Sequence, residues 1–189
     1  MSNGKLIVID GLPGAGKRTN AKKVVARLTN EGSISKLVSF PNFFSDSSAL
    51  VKRYLRGHFQ NVYNNNKTYV KQMSMFFATD RVATMIKRDG QLPLSNIELL
   101  DKGFNIICDR YTTSNILHMS TYFDNELDIE AYINWVEEME YVELHLPRPD
   151  LVLFLDIPKD LVIKNITKRN YYNKENEERI NIHNNPEHI

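Results

Sequence analysis

Seven residues, Gly11-Leu12-Pro13-Gly14-Ala15-Gly16-Lys17, constrain the fold of this chain more than any other stretch. They follow a short apolar run closed by a carboxylate, KLIVID at 5–10. After them come Ala21, Val24, Val25 and Leu28, spaced i, i+3, i+4, i+7 as on one face of a helix, with Gly32 to close it. A G-x-x-x-x-G-K pattern between a strand and a helix is a phosphate cradle. Its glycines let the backbone curl until successive N–H groups point inward at phosphate oxygens. The helix that follows adds its unpaired N–H groups and the positive end of its dipole. Gly11, Gly14, Ala15 and Gly16 are therefore expected to line a nucleoside triphosphate site, with Lys17 as a point charge for the β- and γ-phosphates. A glycine turn that binds nothing is the competing reading, and the flanking strand and helix argue against it.

The rest of the chain repeats the strand–helix alternation. Residues 37–40 read as a second strand stopped by Pro41, and 104–108 (FNIIC) as a third, closed by Asp109. Residues 151–155 (LVLFL) read as a fourth, continuously apolar as a strand buried on both faces should be. Between them, Leu50, Val51, Tyr54 and Leu55 suggest a short helix. A longer helix is expected over about 69–87, and Ile129, Ile133, Val136 and Met139 mark another. Such alternation implies a parallel sheet with right-handed crossovers, an α/β fold with helices on both faces in three layers, α/β/α. The 189 residues suit one domain, 1–189. Stretches 61–67 and 170–179 read as loops. A net charge of +1 argues against a chain built to coat nucleic acid or a membrane surface. No apolar stretch approaches the ~20 residues needed to span a bilayer. The single cysteine, Cys108, rules out an intrachain disulfide, and the N-terminus runs straight into the first strand without room for a signal peptide. A cytoplasmic protein is the expectation.

Asp109-Arg110-Tyr111 is the second informative cluster. In a parallel sheet this carboxylate lies beside the phosphate loop, and Arg110 can reach a phosphate with its fork. A structural salt bridge is the other reading. With these residues the segments GKLIVIDGLPGAGK, Phe40-Pro41 leading to SSALVKRYL, FFATDR, ICDRYTTSN and LPRPDLVLFLDIP resemble the thymidylate kinase family, in order and over nearly the whole chain, most like its bacterial branch. The resemblance implies the P-loop NTPase fold and transfer of a phosphoryl group from ATP to dTMP, with Mg2+. It also implies a homodimer packed through helices that include 69–87. Phe77 would stack on the thymine, although the residues alone favour a helix-core position. Arg81 would hydrogen-bond a base carbonyl, Ser114 and Asn115 would line the base pocket, and Arg110 would hold the monophosphate or the phosphoryl group in flight. Asp109 and Asp10 would shape the metal site, largely through water. Lys168, Arg169, Lys174 and Arg179 fall in the expected lid, about 168–181, with Arg169 as the lid cation; a solvated charge run is the alternative. Arg18 stands where Ser or Thr usually follows the lysine, and Thr19 comes next. The G-K-x-T form also occurs in adenylate kinases and some thymidylate kinases, and Arg18 fits either a phosphate contact or a solvated helix position.

Three positions depart from the family pattern. Pro13 replaces an aspartate that contacts the sugar. No basic residue occurs in FPNFFSDSS at 40–48, where the family has a phosphate-gripping arginine; Lys52 or Arg53 is the candidate replacement. The lid ending reads Asn181-Ile182-His183-Asn184 rather than D-I-H-E. Each lost charge-assisted contact costs about 1.5–3 kcal/mol. A catalytically impaired nucleotide-binding relative and a kinase for another monophosphate are the alternatives these changes raise. In the family a further helix and strand follow the lid; their absence here reads as C-terminal incompleteness, and without them the 151–155 strand would present an unpaired apolar edge.

Overall fold

The alternation of side chains along the first strand sorts the core into two faces. In the computed structural model, which describes residues 3–63, 66–88 and 93–173, with side chains as far as 168, the run before the glycine loop is β1 (Leu6–Gly11). Leu6 and Val8 point into one apolar cluster, while Ile9 points into another on the opposite face. β3 (Asn105–Asp109) divides in the same way, Ile106 and Cys108 on one side and Ile107 on the other. Leu6, Val8 and Ile9 of β1 and Ile106, Ile107 and Cys108 of β3 are almost wholly shielded from water. Each such side chain contributes about 1.5–3 kcal/mol relative to exposure.

β2 (Ser35–Ser39) and β4 (Leu151–Leu155) complete a four-stranded sheet in the order β2-β3-β1-β4, with every pairing parallel. α1 (Lys17–Asn30) lies over β1, β2 and β3 on one face. Beyond the other face, a 3-10 turn (Asp46–Ser48) leads into α2 (Ala49–Leu55), followed by α3 (Asn66–Ile86) and α4 (Asn96–Asp101). Met85 from α3 and Leu99 and Leu100 from α4 close the cluster on that face, so the expected three layers are present. α5 (Thr112–Ser120), α6 (Glu126–Glu137), a π-helical turn (Glu138–Glu143) and α7 (Lys159–Asn173) complete the described elements. A further cluster, from Val51 and Tyr54 through Tyr69 and Met73 to Met119, Tyr132 and Val136, joins α2, α3, α5 and α6 beside the sheet.

Four sequence expectations need correction. β4 is not buried on both faces: Leu151, Val152, Leu153 and Phe154 are 47%, 39%, 41% and 47% exposed. It pairs only with β1 among the described residues, and α1 packs over the other three strands. The buried stripe of α6 is Tyr132 and Val136, continued by Glu140 at the same four-residue step; Ile129, Ile133 and Met139 are only partly buried. α3 begins at Asn66 inside the stretch expected to be a loop. α7 likewise carries helix through Asn173, so only 174–181 of the expected lid, with Lys174 and Arg179, lies outside the described residues. No helix among the described residues is long and apolar enough to cross a membrane.

Candidate active site

Parallel pairing brings all four strand ends to one edge of the sheet. Asp109 is level with Ile9 on β1 and with Ser39 on β2, and Gly11 is level with Leu155 on β4. The glycine loop leaves β1 at this edge. Gly11 adopts φ +144°, and a Cβ there would sit 2.6 Å from the Leu155 carbonyl oxygen, so only glycine lets the loop pass β4. Gly14 (φ +79°) packs against α7, where a Cβ would meet Asn165, Val162 and Ile166 at 3.2–3.4 Å. Asn165 Nδ2 donates to the Gly14 carbonyl at 3.0 Å. The helix that leads toward the expected lid is thus fastened to the phosphate loop itself. Ala15 N–H donates to Leu12 O at 3.1 Å, turning the loop tightly.

Lys17 is buried and folds back over this loop, its Nζ donating to Gly11 O at 2.7 Å and Leu12 O at 2.6 Å. Arg18 and Thr19 are exposed at the start of α1. α1 begins at Gly16 with no side-chain cap and no acidic residue in its first turn. α5, which starts beside the same edge, has no side-chain cap either. α4, by contrast, carries a full capping box, Ser95 with Glu98, and Asn125 caps α6. Neither of the two helices that open at the strand ends uses a side-chain cap, although Ser114 N–H in the first turn of α5 bonds Tyr111 O at 3.2 Å.

Asp10 is fully buried and already supplied with donors: Gly11 N–H at 2.8 Å, Ser114 Oγ at 2.6 Å and the Thr113 hydroxyl. Arg110 follows Asp109 at φ +68°, a left-handed conformation that costs a non-glycine residue on the order of 1–3 kcal/mol. Its N–H bonds Ile9 O at 3.1 Å, and its Nη1 donates to Ser114 Oγ at 3.1 Å. Burial draws the guanidinium below the usual arginine range, while Asp10 and Asp109 oppose that. Burial also pushes the Asp109 carboxyl above an ordinary aspartate, with Arg110, Lys17 and Arg18 pulling it back and Asp10 adding to the rise. Lys17, Arg18 and Arg110 thus all lie within electrostatic reach of this carboxylate. Among the described residues no group of three or more His, Cys, Asp or Glu side chains gathers to hold a metal. Asp109, seconded by Asp10, suits Mg2+, which takes one or two carboxylates and completes its shell with water and phosphate.

The other half of the site is built from α2, α3 and α5. Asn115 is 3% exposed, and neither atom of its amide has a hydrogen-bond partner. An unpaired buried amide costs about 1–3 kcal/mol, which a ligand would recover. Phe77 is partly buried with its ring edge-on to Tyr54, 5.7 Å between centroids. Arg81 is buried and forks onto Glu140 through Nε and Nη2, so a base carbonyl would have to use its Nη1 side. Of the two cations considered for the loop after β2, Lys52 reaches it, Nζ to Ser45 O at 3.4 Å, whereas Arg53 is exposed. Arg169 falls within α7, and its side chain lies outside the described residues.

Sequence reasoning passed over Asp80, Thr113 and Glu140. Asp80 is fully buried and accepts from Asn42 N–H at 2.8 Å and Ser47 Oγ at 2.6 Å, pinning the loop after β2 to α3. The available signal was an acid at each of two positions on an otherwise apolar helix face.

The thymidylate kinase family model matches residues 9–188. Human thymidylate kinase is 30% identical over 156 residues, covering 82% of this chain and 61% of the human protein, so the chain spans less than two thirds of that relative's length. Thymidylate kinase of Mycobacterium tuberculosis is 27% identical over 158 residues, covering 82% of this chain and 67% of its own. A solved thymidylate kinase from Candida albicans superposes with a TM-score of 0.59 at 26% identity, covering 87% of this chain and 68% of that one.

Proposed function

The chain belongs to the thymidylate kinase family, and from that premise we propose that it transfers the γ-phosphoryl group of ATP to dTMP, giving ADP and dTDP. The observation that carries the reading is a glycine loop closed only by glycine and folded around buried Lys17, beside Asp109 and a Ser114-held Arg110 at the strand ends, with the unpartnered Asn115 amide buried on the acceptor side. Phosphoryl transfer asks a protein mainly for positioning and for cations around the transferred group. Lys17 would exchange the carbonyls of Gly11 and Leu12 for β- and γ-phosphate oxygens, a swap of partners over a short distance. Arg110, held by Ser114 and by its strained backbone, is aimed before substrate arrives and would bridge donor and acceptor phosphates. Mg2+, where bound, would neutralise charge on the β- and γ-oxygens; Asp109 is the residue suited to hold it, and Asp10, its oxygens already taken by Gly11, Thr113 and Ser114, would act only through water. Asn115 and Arg81 would read the base edge, and Phe77 would pack on its face.

ATP as donor is part of this reading, and so is the nearest kinship with the bacterial branch. DRYTTSN and PRPDLVLFLD support that kinship, within relatives that extend to human and archaeal proteins. The lone buried Cys108 agrees with a cytoplasmic setting. A homodimer through α3 draws support from Met75 and Ile86, exposed at 53% and 58%. Lys52 beside the Ser45 carbonyl is the candidate for the phosphate-gripping cation missing from residues 40–48.

A coupled assay across the nucleoside monophosphates tests the function, with dTMP expected to give the highest kcat/KM. ATP binding without turnover of any monophosphate would favour a non-catalytic relative instead. Faster turnover of another monophosphate would move the acceptor assignment.

A further inference from the structure

We propose that Glu140 is the positioning residue for acceptor-base recognition, one buried carboxylate that aims Arg81 from α3 and anchors the first residue of α5. The inference rests on the reading of the chain as a dTMP kinase. Glu140 is 0% exposed and lies in the π-helical turn that prolongs α6. Its Oε2 accepts from Arg81 Nε at 2.6 Å and from Thr112 Oγ1 at 2.8 Å, while Oε1 accepts from Arg81 Nη2. Leu146 N–H bonds the Glu140 carbonyl at 2.9 Å, fixing the turn from behind. Such π-turns often mark functional positions, because the extra residue re-aims one side chain.

Stability alone does not explain this carboxylate. A buried ion pair is often no more stabilising than apolar residues of the same volume. What the pair achieves is geometry. The fork holds the guanidinium in one plane with Nε and Nη2 on Glu140, which leaves Nη1 as the nitrogen for a ligand. The Thr112 hydroxyl extends the same restraint to α5, which three residues later carries Asn115, whose amide is unpartnered. Two base-edge groups on different helices are thereby registered to one another by Glu140. In sequence Glu140 is 59 residues from Arg81 and 28 from Thr112.

The experiment uses the full chain with Glu140→Gln, which keeps the shape but turns an amide N–H toward the guanidinium. KM for dTMP should rise about tenfold or more while KM for ATP stays within about twofold, and the preference for dTMP over dCMP should fall about tenfold. Because loss of one partner strands a buried cation, the double variant Arg81→Met/Glu140→Leu serves as control. It should melt near the native temperature yet still lack the base preference. A double variant that regains both stability and preference would reduce the pair to packing and overturn the proposal, as would an unchanged dTMP KM in Glu140→Gln. The native assay separates the two layers. Native preference for dTMP retained in both variants defeats this inference alone; a native chain without that preference defeats the proposed function and this inference together.

Discussion

Under the proposed function, the donor and acceptor halves of the site are made of different material. On the donor side the backbone does the work: Gly11 passes Leu155 where no side chain fits, α1 opens without a side-chain cap, and Lys17 rests on carbonyls five and six residues away. On the acceptor side buried side chains do it. Asp80 ties α3 to the loop after β2, Glu140 ties α3 to α5, and Asn115 waits unpaired. A backbone cradle can serve any triphosphate, since every nucleotide presents the same oxygens. A base must be told from other bases, and that needs donors and acceptors held rigidly in one arrangement. The missing arginine of 40–48 falls on the acceptor half, whereas Pro13 is a departure within the donor loop itself.

The largest test of this division is Lys17→Met, which removes the donor-side cation. It should lower kcat by about 10²–10³ in a steady-state dTDP-formation assay, while dTMP binding measured by calorimetry changes little. Equal damage to dTMP binding would break the division. Asp80→Asn comes next. It weakens the two contacts that pin residues 42–47 and should cost about 1–3 kcal/mol in urea unfolding. KM for dTMP should rise well ahead of KM for ATP; the reverse order would place Asp80 on the donor side. The smallest effect concerns Asp109, which stands between the halves. Its burial-raised pKa means that it takes up a proton at higher pH than an ordinary aspartate. A proton and a divalent cation compete for the same carboxylate, so Mg2+-dependent ATP binding should weaken on acidification. It should fall by about twofold where the pH equals that pKa. Asp109→Asn should abolish this limb, and a limb that survives the substitution would assign it to another group.

Legibility followed the same line. The loop at 11–17 could be read because every constraint on it is local: glycines at fixed offsets, a strand before and a helix after. β1 and β3 could be read from short apolar runs ending in Asp10 and Asp109, and parallel pairing then brought those carboxylates to one edge. β4 looked like β1 in composition and still came out half-exposed, since burial depends on what packs over a strand. Arg81 was found through the family pattern, yet its fork onto Glu140 could not be. Glu140 sits on the inner face of the turn that prolongs α6 as one more glutamate among several, and nothing nearby in sequence announces its partner.

By itself, then, the amino-acid order determined a strand–cradle–helix unit and a parallel α/β sheet, because steric and hydrogen-bonding demands within a few residues leave few alternatives. Tertiary structure alone decided which charges are buried and whom they meet. Those pairings join residues dozens of positions apart, and their energies depend on the water excluded once the helices close around them.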